Sequence, residues 1–452
     1  MQIEQFEDKG LAHFSYAILS ECAREIVLID PARNPQPYYD YAQAHAATIA
    51  AVIETHPHAD FVSSHLEIAQ ATGATIRVSR LLGADYAHEP FDDGAAFTIG
   101  KLTFRALNTP GHSPDSISIV LSRDDKDVAV FTGDTLLIGD VGRPDLREKA
   151  GNLTAKREEL ARQMYHSTRE KLLPLADDVL VYPAHGAGSL CSKATNTASS
   201  SSMGAEKIGN YALRPMSEEA FVEELLADQP FIPKYFGYDV ALNKAGAPAF
   251  APAVAGVPRL APGAPLATDM LVVDTRPEAE FKNGHAAGAL NIQQGGKFET
   301  WLGSIVGPEE RFYLLAADAP TLEDLIRKTA KIGYEPLIAG ALVGSPAPAA
   351  TLPKLDVAAF RAHPEQFTIV DIRSASEHAH EPLFAGSISI PLPELRERAG
   401  EIPTDKPVVV HCAGGYRSAA GSSIVAPVLA GTPVYDLGEA VKSFPVPVAA
   451  EH

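Results

Sequence analysis

Apolar residues in this chain gather into short runs of strand length, each closed by Gly, Pro, Asn, Asp or Ser, and that punctuation predicts a molecule built on many short strands. Runs 14–19 and 25–30 read as two strands joined by a turn holding Cys22, which reads as a small packing residue. Segments 37–47 and 64–72 have helical spacing. The apolar run 49–53 ends in Thr55-His56-Pro57-His58-Ala59-Asp60-Phe61, directly before the second helical segment. Three later runs end alike: 102–107 leads into Asn108-Thr109-Pro110-Gly111-His112, 127–131 into Thr132-Gly133-Asp134, and 179–182 into Pro183-Ala184-His185. A His-x-His pair alone reads as two hydrogen-bonded or solvated imidazoles. Four strand ends that each deliver a His or an Asp are hard to explain by packing, and they place metal-ligating groups where an ion could be held.

Taken in order over residues 56–185, His-x-His-x-Asp, Pro-Gly-His, Thr-Gly-Asp and Pro-Ala-His resemble the metallo-β-lactamase superfamily, which implies an αββα sandwich with its metal site at one sheet edge. Hydrolases of that superfamily such as glyoxalase II carry a histidine after the Asp of the first motif, and here that place is Phe61, which cannot bind a metal. The remaining set, His56, His112 and Asp134, is the two-histidine, one-carboxylate triad that suits non-haem Fe(II) with open positions for substrate and O₂. The segment resembles the persulfide dioxygenases, in which these three positions bind iron; one Fe(II) per chain is the cofactor this implies. Arg143 and Asp145 resemble that family's Gly-Arg-Thr-Asp segment, with Pro144 in place of the threonine. His58, Asp60 and His185 are then expected to orient ligands or bind water. Beyond His185, the stretch 187–202 has the composition of a flexible linker, yet its closeness to His185 places it at the mouth of the site. Within it, Cys191 resembles a cysteine of persulfide dioxygenases fused to sulfurtransferases; a sulfur-carrying thiol and a buried inert one both remain open.

An Ala/Pro/Gly stretch at 245–266 reads as a linker between a domain of residues 1–244 and the C-terminal part of the chain. After it one pattern occurs twice. Leu271-Val272-Val273-Asp274-Thr275-Arg276 matches Thr368-Ile369-Val370-Asp371-Ile372-Arg373, each copy continuing to a Glu and then to Gly-Ala-Leu-Asn-Ile or Gly-Ser-Ile-Ser-Ile. The pattern resembles the rhodanese fold, a small α/β domain with a parallel sheet, and predicts domains at 267–346 and 352–452. In the second copy a strand at 407–411 leads into Cys412-Ala413-Gly414-Gly415-Tyr416-Arg417-Ser418. A cysteine on a Gly-rich turn at a helix N-terminus is surrounded by backbone N–H groups that favour its thiolate and cradle an anionic persulfide. Cys412 reads as the nucleophile, residues Ala413, Gly414, Gly415, Tyr416 and Ser418 as its persulfide-binding loop, and Arg417 as a positive charge for sulfur oxyanions. The first copy has no cysteine near Ala317 and is expected to be silent and structural, packing the active copy against the oxygenase or another subunit.

The bulk properties narrow the partners. With 452 residues two or three domains are expected, and a formal net charge of −19 argues against nucleic acid or an anionic membrane as a partner. Residues 1–8 lack the basic start and apolar core of a signal peptide and no run approaches membrane-spanning length, so a cytoplasmic protein is expected. Three scattered cysteines cannot form a disulfide framework. The combined reading is an α/β and α+β multidomain chain, an αββα sandwich followed by two rhodanese-like domains. The resemblance implies that it oxidises glutathione or coenzyme A persulfide with O₂ to sulfite, exchanges sulfane sulfur to give thiosulfate in sulfide detoxification, and assembles as a homo-oligomer, a dimer or tetramer. A dizinc thioester hydrolase of the glyoxalase II type and a non-catalytic sulfur carrier are the alternatives.

Overall fold

Residues 1–146, 157–193, 195–344 and 349–444 are described by the structure, a computed structural model; the expected domain ends at 346 and 452 lie outside these residues. The chain divides into two compact units, Met1–Ala253 with Ala330–Gly333, and Val254–Thr329 with the residues from Tyr334 onward.

The first unit is built on two six-stranded sheets. Strands β1 (Gln2–Asp8), β2 (His13–Ser20), β3 (Glu25–Ile29), β4 (Thr48–Ile53), β5 (Thr75–Val78) and β6 (Glu89–Pro90) lie side by side in chain order. Strands β7 (Ala96–Ile99), β8 (Leu102–Asn108), β9 (Ile117–Arg123), β10 (Lys126–Gly133), β11 (Leu180–Pro183) and β12 (Ser201–Ser202) form the second sheet in the same succession. The strand runs are apolar at consecutive positions because both faces of each sheet are covered. Along β2 and β3, Tyr16, Ile18, Val27 and Ile29 point between the sheets, where they meet Phe104, Ile119 and Phe131. The alternate residues Ala17, Leu19, Ile26 and Leu28 pack outward on Tyr38, Ala42 and Ile68, on helices Gln36–Ala44 and His65–Thr72. On the far side, Val120, Val130 and Val181 meet Ala161, Met164, Phe221 and Leu225 from helices Arg157–His166 and Glu218–Leu226. The result is the αββα order of layers.

The second unit holds two parallel four-stranded sheets of one topology. In the first, β13 (Leu271–Asp274), β14 (Leu290–Asn291), β15 (Phe312–Ala316) and β16 (Ile338–Val343) lie in the order β14-β13-β15-β16. In the second, β17 (Thr368–Asp371), β18 (Ile388–Ser389), β19 (Val408–His411) and β20 (Val434–Asp436) repeat it as β18-β17-β19-β20. The duplicated Asp-x-Arg builds the same clamp twice: Arg276 Nη2 donates to Asp274 Oδ2 at 2.6 Å and to the Gly284 carbonyl at 3.0 Å, and Arg373 Nη2 donates to Asp371 Oδ2 at 2.7 Å and to the Glu381 carbonyl at 2.8 Å. Strand register pairs Asp274 with Leu315 and Asp371 with His411, so Ala316 stands where the second copy has Cys412.

Two regions differ from the sequence reading. Within 245–266, residues Phe250–Gly256 form a helix, and the Leu260 N–H donates to the Ala341 carbonyl at 2.8 Å, which ties the stretch alongside β16. Cys22 is exposed rather than packed, because its turn lies at the solvent end of the β2–β3 hairpin.

Candidate metal centre and cysteine loop

The ligand turns come from both sheets of the first unit: β4 supplies His56, and β8, β10 and β11 lead to His112, Asp134 and His185. The site therefore spans the mouth of the sandwich rather than the edge of one sheet. Asp30, just past β3, accepts from the Thr55 N–H at 2.7 Å and from Thr55 Oγ1 at 2.8 Å. Having given its proton to Asp30, Thr55 Oγ1 accepts at 3.0 Å from His56 Nδ1, which leaves the lone pair of His56 on Nε2. His112 Nδ1 lies 2.8 Å from the Arg143 carbonyl; a carbonyl only accepts, so the lone pair of His112 is again on Nε2. Asp134 Oδ1 accepts from His185 Nδ1 at 2.7 Å, while its Oδ2 has no hydrogen-bond partner and lies 3.5 Å from His112 Nε2 and 3.9 Å from His56 Nε2. One donor atom from each of His56, His112 and Asp134 falls within 4.8 Å of the others, and all three residues are buried. Two imidazoles in the ligating tautomer and an orphaned carboxylate oxygen suit a cation.

Burial, with His58 and His112 close by, lowers the pKa of His56 well below the ordinary value, so the ring is neutral and able to ligate. Burial also opposes charge on Asp134, but His185 and the two ligand histidines outweigh it and hold the carboxyl well below its usual range. For His185 burial disfavours the charged form, yet Asp134 and Asp60 on either side of the ring raise its pKa well above the ordinary value. Asp60 Oδ2 lies 2.7 Å from His185 Nε2. Cys191 belongs to the same group, its sulfur within 4.8 Å of donor atoms of Asp60 and His185. Burial, and then the two carboxylates, raise its thiol well above the ordinary value and keep it protonated. Phe61 fills the place beside Asp60 with an apolar ring, tilted against His13 with centroids 3.9 Å apart and against His58 at 4.3 Å. His58 faces away from the triad, with Nε2 at 3.2 Å from Asp30 Oδ1 and 3.9 Å from Glu54 Oε2. Arg143 is buried in a fork-to-fork pair with Asp145, at 2.7 and 2.6 Å, and donates to the Leu190, Pro230 and Phe231 carbonyls, which fixes the backbone that orients His112.

In the second unit Cys412 is buried just past β19, and its Sγ accepts from the Gly415 N–H at 3.1 Å. Gly415 has φ of 99°, and a Cβ there would come within 2.7 Å of the Glu439 nitrogen, so the turn requires glycine. Helix Tyr416–Val428 begins at once, with Ser418 Oγ donating back to the Gly415 carbonyl. Ala413 is exposed and Gly414 partly so. Arg417 meets Glu377 in a bidentate pair at 2.8 and 2.9 Å.

Sequence reading missed Asp30, Thr55, His13 and Glu377. Asp30 showed the signal used for the other ligand turns, a carboxylate just past an apolar run. Thr55 and His13 carry no pattern of their own, and Glu377 pairs with a residue far along the chain.

Residues 10–185 match the family model of the metallo-beta-lactamase superfamily, and residues 356–444 match that of the rhodanese-like domain. Persulfide dioxygenase ETHE1, mitochondrial, from Homo sapiens is 33% identical over 38% of this chain and 63% of its own length; the Bos taurus protein of that name is 32% identical over 40% and 66%. The chain thus spans just under two thirds of the length of these relatives. A solved metallo-beta-lactamase structure from Staphylococcus aureus is 31% identical, covers 76% of this chain and 99% of its own, and superposes with a TM-score of 0.69. Sequence, fold and ligand turns agree: the chain belongs to the metallo-β-lactamase superfamily and carries a rhodanese-like domain behind that fold.

Proposed function

We propose that this protein oxidises a low-molecular-weight persulfide, of glutathione or coenzyme A, to sulfite at one Fe(II), and that Cys412 passes sulfane sulfur to sulfite to give thiosulfate. The observation that carries the reading is the triad of His56, His112 and Asp134, three buried residues whose donor atoms lie within 4.8 Å of one another, with Phe61 standing after Asp60 in place of a ligating histidine. When bound, Fe(II) supplies the redox chemistry that joins O₂ to sulfur, and two histidines with one carboxylate leave it open positions. The chain's own groups do the rest. His185, charged between Asp60 and Asp134, holds Oδ1 so that Oδ2 alone turns to the ion. Cys191, a protonated thiol in this setting, is assigned to meet the substrate sulfur. Asp60 receives the charge of His185, and Arg143 with Asp145 keeps His112 aimed. In the second unit the Gly415 N–H steadies the sulfur of Cys412. The proposed domains are an oxygenase over 1–244, a connecting stretch 245–266, a silent rhodanese-like domain over 267–346 and an active one over 352–452.

Protein purified without oxygen should contain close to one iron per chain and consume O₂ with glutathione persulfide, and His112→Ala should abolish both. Two zinc ions per chain with thioester hydrolysis would overturn the reading in favour of a hydrolase. Persulfide on Cys412 without metal or oxygen uptake would leave only a sulfur carrier.

A further inference from the structure

A second group of metal-ligating side chains lies beside the triad. Asp30, just past β3, and Glu54, just past β4, are buried carboxylates, and His58 brings its Nε2 to 3.2 Å from Asp30 Oδ1 and 3.9 Å from Glu54 Oε2. One donor atom from each of the three falls within 4.8 Å of the others. His58 is fully buried, yet among the described residues neither of its ring nitrogens finds a hydrogen-bond partner. His65 stands next to the group, with Nδ1 at 3.6 Å from Glu54 Oε1 and both ring nitrogens again without a hydrogen bond. Burial, and then His58, lower the pKa of His65 to about 3, so this ring is neutral.

Charge, spacing and orientation all suit a cation in this group. Two carboxylates lie out of water together, and among the described residues their ion-pair partners are histidines, with no lysine or arginine at either. Buried anions need a compensating charge, and one dication balances both. Ligand atoms at about 2.0–2.1 Å from a tetrahedral ion stand about 3.3–3.4 Å apart. The observed separations of 3.2, 3.6 and 3.9 Å lie around that value, and the two longer ones are beyond hydrogen bonding. Each carboxylate is also aimed from outside: the Thr55 N–H and Oγ1 donate to Asp30, and Ser63 Oγ donates to Glu54 Oε1 at 2.7 Å. Outer hydrogen bonds of this kind orient the ligands of metal sites.

We propose that Asp30, Glu54 and His58 hold a second, structural divalent cation of the zinc(II) class, separate from the triad and flanked by His65. Imidazole with carboxylate suits that class, and burial of all four side chains keeps substrate away from the ion. Its part is to brace: it would join the ends of β3 and β4 to the turn that carries His56. The proposal does not depend on what the triad oxidises.

The test strips the full chain of metal with a chelator, titrates it with Zn(II) alone, and counts the zinc retained after gel filtration. Wild type should retain two equivalents, one at the triad and one here. His112→Ala should retain one, and adding Glu54→Gln to it should remove that one. A wild type that retains one equivalent would overturn the proposal, leaving a proton shared by the carboxylates to offset their charge. Zinc that survives Glu54→Gln in the His112→Ala background would also overturn it, and so would zinc that leaves that background on Cys191→Ser, which places the ion with Asp60, His185 and Cys191 instead. X-ray absorption at the zinc edge of loaded wild type needs no variant: nitrogen and oxygen ligands alone are expected, and a sulfur at about 2.3 Å would refute the assignment.

Discussion

Thr55→Val isolates the hydrogen bond that sets the tautomer of His56. Valine keeps the shape of threonine beside Gly133, where a Cβ would come within 2.5 Å of Thr55 Oγ1, so packing is preserved and only the hydroxyl is lost. Its loss leaves two buried atoms without their partner, Asp30 Oδ2, now 2.8 Å from the hydroxyl, and His56 Nδ1, now 3.0 Å from it. An unpaired buried polar group costs about 1–3 kcal/mol. The imidazole is then free to move its proton to Nε2, the atom that must face the ion. Loss of such an outer partner weakens metal binding by about 10–100-fold, which is about 1.4–2.8 kcal/mol and agrees with the desolvation figure. Anaerobic competition between the protein and a chromophoric Fe(II) chelator measures the change. Thr55→Ser, which keeps the hydroxyl and sheds the methyl, should bind close to wild type. Wild-type affinity in the valine variant would refute the argument, and so would a serine variant weakened as much as the valine one.

Cys412→Ser should leave oxygen uptake nearly unchanged and shift the product from thiosulfate toward sulfite, read by anion chromatography after a timed reaction; an unchanged thiosulfate share would mean the two chemistries are not coupled. Gly142→Ala should strip the metal, because a Cβ there would overlap the Asp134 carbonyl oxygen and stand 2.8 Å from His112 Nδ1; full iron content in the variant would contradict this. Burial opposes charge on Glu377, but Arg417 outweighs it and holds its pKa down to about 2 from an ordinary 4.5. Since the folded value is depressed, the stability this carboxylate contributes is present above pH 4.5 and is lost as pH falls toward about 2. The difference in unfolding temperature between wild type and Glu377→Gln should therefore shrink across that interval, and a constant difference would refute the assignment.

Much of this was legible in the chain because local signals and global fold agree. The apolar runs 14–19 and 25–30 foretold two strands, and the structure adds that both faces are covered, with Tyr16, Ile18, Val27 and Ile29 inside and Ala17, Leu19, Ile26 and Leu28 outside. The ligand turns were legible because each comes directly after its strand, and the Asp-x-Arg repeat because each clamp closes locally, from the arginine to a carbonyl eight residues on. The hidden features depend on distance along the chain. No local pattern says that β4 lies in one sheet and β8, β10 and β11 in the other, nor that Arg417 meets Glu377. The stretch 245–266 holds the boundary between the two compact units, but its Ala, Pro and Gly composition gave no sign of helix Phe250–Gly256 or of the pairing of Leu260 with Ala341.

The two four-stranded sheets of the second unit share one topology and differ in the loop that follows their third strand in the chain. Both keep the buried Asp–Arg clamp, which ties the end of the first strand to the chain eight residues past the arginine in each copy. After β19 the chain turns through Gly415 at positive φ and aims an N–H at Cys412; after β15 it enters helix Ala319–Lys331 directly, and none of 316–319 has positive φ. A cysteine grafted at Ala316 would thus lack the positive-φ turn that brings the Gly415 N–H to Cys412. Giving the first copy the loop of the second would require rebuilding its turn, a change of path rather than of one side chain.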